Sequence, residues 1–320
     1  MMLDKETAAL VAAMNAAQSD LHDQDISLQD ARLGAREMFL SLAGEAPADV
    51  DVTELDVVYD GAGVSVSVPV RSYRPSSAGA DVLPAVIFFH GGGWSLGDLD
   101  CYDTLMRDLC YRTGVQFFSV GYRLAPEHKY PAGLNDCLAA VRWLHGHADQ
   151  YHVDVTKLVL MGDSAGGNLA VSVAHHLADE PIAITALHLI YPVLDVYSPH
   201  QQYASRVQFG DGDLLLSREA IANTAVYYAA DPSQVHNVDV SPMALPDVSH
   251  LPATSILVAG YDPLHDEGAQ FAQRLLAAGR LRHYSCFAST IHAFFSFGTL
   301  PVAQRARQLV ATQLRADLAL

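Results

Sequence analysis

Near the start of the chain, apolar residues recur at helical spacing. Leu10, Val11 and Met14, then Ala31, Leu33, Met38, Phe39 and Leu42, predict two amphipathic helices within residues 1–45, separated by the polar run SDLHDQD. The period then drops to two. Apolar and polar positions alternate from Val50 to Tyr59 and again from Val64 to Tyr73, and the turn residues Asp60-Gly61-Ala62-Gly63 between them predict a β-hairpin. From Pro84 onward the pattern changes to short runs of β-branched and aromatic residues. AVIFF (85–89), VQFFSV (115–120), KLVLM (157–161), ITALHLI (184–190) and TSILVA (254–259) read as strands buried on both faces. Helices are expected between them, near 99–113, 133–149, 165–179 and 264–279. Strand and helix alternating in this way predict an α/β protein with a mostly parallel sheet covered on both sides. Between Tyr191 and Pro252 the rhythm breaks. That insertion, with LLLSREAIANTAVYYAAD at its centre, offers no sheet strand and is expected to form a lid together with the N-terminal helices.

Composition narrows the function. The 320 residues are 50% hydrophobic, enough for a large core, and 36 acidic against 19 basic side chains give a formal net charge of −17. Phosphate backbones and anionic surfaces are bound by clustered Lys and Arg. With three Lys in the chain (Lys5, Lys129, Lys157), a nucleic-acid or polyanion partner is not expected. No run approaches the ~18 uninterrupted apolar residues of a spanning helix, so stable membrane insertion is not expected either. Cys101, Cys110, Cys137 and Cys286 show neither C-x-x-C spacing nor a metal-ligand pattern with His, so no metal is expected. The acidic N-terminus lacks the basic and apolar blocks of a secretory signal, and the expected location is cytoplasmic.

The chemistry concentrates at a few strand ends. Gly162-Asp163-Ser164-Ala165-Gly166 is a G-x-S-x-G sequence directly after a buried strand and directly before a helix, the setting of a nucleophile elbow. His90-Gly91-Gly92-Gly93-Trp94 follows AVIFF. Three successive glycines there suit a backbone whose N–H groups, with that of Ala165, point at a developing oxyanion. A serine needs a base, and the base needs an orienting acid. Asp262 just past TSILVAGY and His292 just past LRHYSCF and a short loop lie where a doubly wound sheet presents functional side chains, with Asp266 as the other candidate acid. His175 and His176 are adjacent on a helix and do not face one another. His145 and His147 suit a helix C-terminus, and His90 is placed to brace the glycine loop.

HGGGW (90–94), YRLAPEHKYPAG (122–133), GDSAGGNLA (162–170), YDPLHDEG (261–268) and IHAF (291–294) together resemble the hormone-sensitive-lipase-like esterases of the α/β-hydrolase fold. The resemblance spans roughly residues 85 to 295. It implies a mostly parallel eight-stranded sheet flanked by helices, with residues 49–194 and 246–320 as catalytic core and residues 1–48 and 195–245 as a helical cap. It also implies Ser164 as nucleophile, His292 as base, Asp262 as orienting acid, and Gly91, Gly92, Gly93 and Ala165 as oxyanion donors.

The expected activity is a serine carboxylesterase acting on a small, neutral, short- to medium-chain acyl ester, without a cofactor. The same residues would serve an amidase or deacetylase. Relatives on this fold also include ligand receptors, such as the gibberellin receptors, in which the histidine is replaced. LRHYSCF (281–287) as the last strand of the sheet would leave an edge free to pair with a second copy in a homodimer.

Overall fold

One eight-stranded sheet organises the chain in this computed structural model, which describes residues 2–19 and 27–320. The strands are β1 (Val50–Asp60), β2 (Ser65–Pro75), β3 (Leu83–Phe89), β4 (Gln116–Val120), β5 (Val153–Asp163), β6 (Ile184–Ile190), β7 (Ala253–Tyr261) and β8 (Leu281–Ile291). They lie in the order β1-β2-β4-β3-β5-β6-β7-β8, antiparallel across the first two pairs and parallel from β4 to β8. The helices are α1 (Lys5–Ser19), α2 (Leu28–Leu42), α3 (Leu99–Thr113), α4 (Ala132–Gly146), α5 (Ala165–Leu177), α6 (Ala204–Phe209), α7 (Arg218–Tyr228), α8 (His265–Ala277) and α9 (Pro301–Asp317). From Asp20 on, the polar run expected between α1 and α2 falls outside the described residues.

The apolar runs are continuous because the central strands bury both faces. Along β3, Val86 and Phe88 join the core beneath α3 and α9, while Ala85, Ile87 and Phe89 join the core beneath α4, α5 and α8. Local signals set the helix ends. The Asp98 side chain accepts the Cys101 N–H at 2.8 Å to start α3, and Gly114 ends it in the left-handed region at φ +70°. Helix α9 is an element the sequence reading passed over. Its signal is present: Pro301 at the first turn, then Val302, Ala306, Val310 and Leu314, all buried, at helical spacing.

Two devices hold the non-sheet segments over the carboxyl ends of the strands. Arg32 of α2 donates to Ser95 O (2.8 Å), Ala125 O (2.9 Å) and both oxygens of Glu127 (2.7 Å each), and Arg36 pairs with Asp98 and Asp100. Solvent-exposed pairs of this kind contribute about 0–1 kcal/mol each, so they fix the position of α2 more than they stabilise it. Between Tyr191 and Pro252 no strand joins the sheet among the described residues, as expected. That stretch is anchored by a fully buried pair. Arg206 of α6 bonds Glu267 of α8, whose other oxygen accepts the Leu194 N–H at 2.7 Å. Buried pairs add little net stability, but removing one partner strands the other charge at a cost of roughly 3–5 kcal/mol.

Candidate active site

The turn from β5 into α5 is too tight for a side chain two residues to either side of the serine. A Cβ on Gly162 would stand 2.2 Å from Gly166 O, and one on Gly166 would stand 1.9 Å from Phe89 O. Ser164 between them takes φ +53° and ψ −119°, a conformation costly for an L-residue and held by its N–H donating to Ile190 O at 2.8 Å. The turn thus sets the hydroxyl beyond the carboxyl edge of the sheet.

Two neighbouring strands bring partners to it. His292 follows β8, and its Nε2 lies 3.0 Å from Ser164 Oγ. Asp262 follows β7, and its Oδ2 lies 2.7 Å from His292 Nδ1. An ionised carboxylate only accepts, so Nδ1 carries the proton and Nε2 is left to accept from the serine hydroxyl. The second Asp262 oxygen accepts the Leu264 N–H at 2.8 Å, and all three side chains are buried. Asp266, the other candidate acid, is engaged elsewhere: its Oδ2 accepts the Ser205 N–H at 2.8 Å at the start of α6.

The glycine loop behaves differently from the expectation in one respect. Gly91 does not offer its N–H to the space above Ser164. It donates to Asp163 Oδ1 at 2.8 Å, with the Tyr102 hydroxyl oxygen 3.1 Å away, and Gly91 is absent from the cavity wall. Gly92 and Gly93, at φ +110° and +57°, do line the cavity. The N–H groups of Gly92, Gly93 and Ala165 have no acceptor among the described residues. The oxyanion donors expected from the motif therefore narrow to Gly92, Gly93 and Ala165. His90 does brace the loop. Its Nδ1–H donates to Gly91 O at 2.7 Å, its ring stacks on Tyr122 at 4.4 Å, and burial pushes its pKa down to about 4.

The cavity above Ser164 is about 440 Å³. Leu28, Ala31, Ala35, Met38 and Phe39 of α2 form one wall, and Leu215, Leu216, Ala220, Ile221 and Tyr227 of the insertion form the other. Its polar groups are few, chiefly Ser164, His292, Asp163, Ser95 and Asn223, and among the described residues no Lys or Arg lines it. Of the remaining histidines, His147 Nδ1–H donates to Trp143 O at 2.8 Å at the end of α4, while His175 and His176 meet His250 and Asp239 away from the site.

Sequence reasoning missed Asp163, Tyr102, Arg206 and Glu267. Asp163 is the variable position of G-x-S-x-G, and Glu267 lies inside YDPLHDEG, so a buried charge within each motif was the available signal.

Comparison with known proteins gives the family. Residues 86–296 match the alpha/beta hydrolase fold family. The chain is 39% identical over 256 residues to the carboxylic ester hydrolase LipN of Mycobacterium tuberculosis, a match covering 77% of this chain and 65% of that protein. It is 32% identical over 311 residues to an ethyl acetate hydrolase of Pseudomonas putida, covering 94% of each. Among solved structures, an ester hydrolase from the metagenome of Lake Arreo superposes with a TM-score of 0.89 at 31% identity, over 100% of both chains. The chain therefore belongs to the alpha/beta hydrolase fold family, among its hormone-sensitive-lipase-like esterases.

Proposed function

We propose that Ser164 Oγ attacks the carbonyl carbon of a neutral ester while His292 Nε2 takes its proton. The chain is a carboxylic ester hydrolase. What carries the mechanism is the hydrogen-bonded run Asp262–His292–Ser164 at the floor of an apolar cavity. Asp262 keeps the imidazole in the accepting tautomer and stabilises the imidazolium. The oxyanion is received by the N–H groups of Gly92, Gly93 and Ala165. His292 then protonates the leaving oxygen, the C–O bond breaks, and the alcohol departs from an acyl-Ser164. Water repeats the sequence and releases the acid. Hydroxyl, imidazole and backbone donors supply every step, so the cycle as proposed draws on no cofactor.

Residues 1–48 and 195–245 act as a cap over a core of residues 49–194 and 246–320, with α2 and α7 setting the cavity walls. A volume near 440 Å³ sits low in the range of about 300–1,000 Å³ for small-molecule sites, which favours short- to medium-chain acyl esters. With no Lys or Arg among the described residues of the wall, an anionic ester has no ion-pair partner there. Across p-nitrophenyl esters of graded length, kcat/KM is expected to rise by up to about fourfold per methylene, from ~0.8 kcal/mol of burial, and to peak between butyrate and octanoate. The matching anilides should turn over far more slowly. A maximum at palmitate with activation by a lipid interface would contradict the substrate class.

A homodimer through the β8 edge and a cytoplasmic location belong to the same proposal. The four unpaired cysteines suit a reducing compartment, and no described helix is long and apolar enough to cross a membrane. Light scattering at twice the chain mass is expected; a monomer would remove the dimer.

A further inference from the structure

We propose that Asp163 is the positioning residue of the oxyanion site: its carboxylate captures the Gly91 N–H and thereby turns the N–H groups of Gly92 and Gly93 toward the carbonyl above Ser164. The inference rests on the reading of Ser164 as nucleophile.

Asp163 is the last residue of β5, one bond before the serine, so it links the nucleophile turn to the glycine loop across the sheet edge. Its Oδ1 accepts from Gly91 at 2.8 Å and its Oδ2 accepts from the Tyr102 hydroxyl at 3.0 Å. The Gly91 carbonyl accepts from the His90 ring, so both backbone polar groups of Gly91 are committed. A Cβ on Gly91 would lie 2.7 Å from Asp163 Oδ2, which explains why a glycine must stand where no oxyanion is bound. Immediately afterwards the backbone passes through three positive-φ residues, Gly92, Gly93 and Trp94, and the first two line the cavity above Ser164.

The carboxylate is kept there against its environment. Tyr102, Tyr122, Tyr191 and His292 are the titratable groups around it, no Lys or Arg is among them, and burial pushes its pKa up to about 6. A folded-state pKa above the unfolded value means that the stability contributed is full at low pH and is lost as pH rises through about 6.

Asp163→Ala removes the acceptor and frees Gly91. Misplacing reacting groups by about 1 Å costs on the order of a hundredfold, so kcat is expected to fall by about 100-fold with KM within about threefold. Affinity for a trifluoromethyl ketone, which forms a tetrahedral adduct on Ser164, should weaken by a similar factor. Asp163→Asn keeps one oxygen for Gly91. It is expected to recover kcat to within about tenfold of the parent and to raise Tm above that of the parent at pH 8 but not at pH 5. Should Asp163→Ala fail to fold, Tyr102→Phe, which frees only one bond to the carboxylate, is read instead and should lower kcat and ketone affinity together. The inference is overturned if the variant read keeps kcat and ketone affinity within about threefold of the parent, or if Asn gives no recovery over Ala. Ser164→Ala, assayed alongside, separates the two readings: activity surviving in that variant defeats the nucleophile assignment, whatever Asp163 does.

Discussion

Ser164→Ala is expected to lower kcat for activated acyl esters by roughly six orders of magnitude while leaving the protein folded. So large a loss is expected because, among the described residues, the hydroxyl is the only group that His292 Nε2 faces at bonding distance, 3.0 Å. Without it the site, as proposed, keeps its cavity and oxyanion donors but has no nucleophile. The fold is expected to survive because the serine's structural bonds are made by its backbone: its N–H to Ile190 O at 2.8 Å and its carbonyl from Val193 N–H at 3.1 Å. Alanine meets the same φ constraint as serine. Circular dichroism and Tm should match the parent within a few degrees, and p-nitrophenyl butyrate turnover should drop to background. Unchanged hydrolysis would end the assignment.

Asp262→Asn is expected to cost about 10⁴ in kcat with little change in KM. The amide can satisfy the Leu264 N–H with its oxygen, and its nitrogen then donates toward His292 Nδ1. That reverses the tautomer, placing the imidazole proton on Nε2, where it cannot accept from Ser164. Asp266→Ala provides the contrast. Its carboxylate caps α6 through the Ser205 N–H, so its loss should weaken stability by about 1 kcal/mol and leave kcat within a few-fold. The reverse order of effects would move the acid role to Asp266.

The two acids show where the chain was readable and where it was not. Both lie just past β7, and spacing along the sequence could bring either to His292. Only the direction of the backbone at Leu264 and the docking of α6 assign them different partners. The doubly buried strands were legible because AVIFF and ITALHLI leave no polar face to solvent, and the elbow was legible because Gly162 and Gly166 mark a turn that no other residue fits. The glycine loop was half legible. Three glycines announce backbone approach, but which N–H points where depends on Asp163, a residue 72 positions downstream of Gly91. Arg206 and Glu267 are 61 positions apart and gave no periodic signal. Helix α9 carried a clear one in Pro301 and its buried Val302, Val310 and Leu314, which the alternation of strands and helices drew attention away from.

Mass spectrometry after reaction with a p-nitrophenyl alkylphosphonate tests the central claim most directly, because the phosphonyl group stays on whichever nucleophile expels the nitrophenolate. One adduct per chain, on the peptide carrying Ser164 and appearing in step with loss of esterase activity, is the predicted result. Full activity in quantitatively labelled protein, or loss of activity with the adduct on another residue, would contradict it.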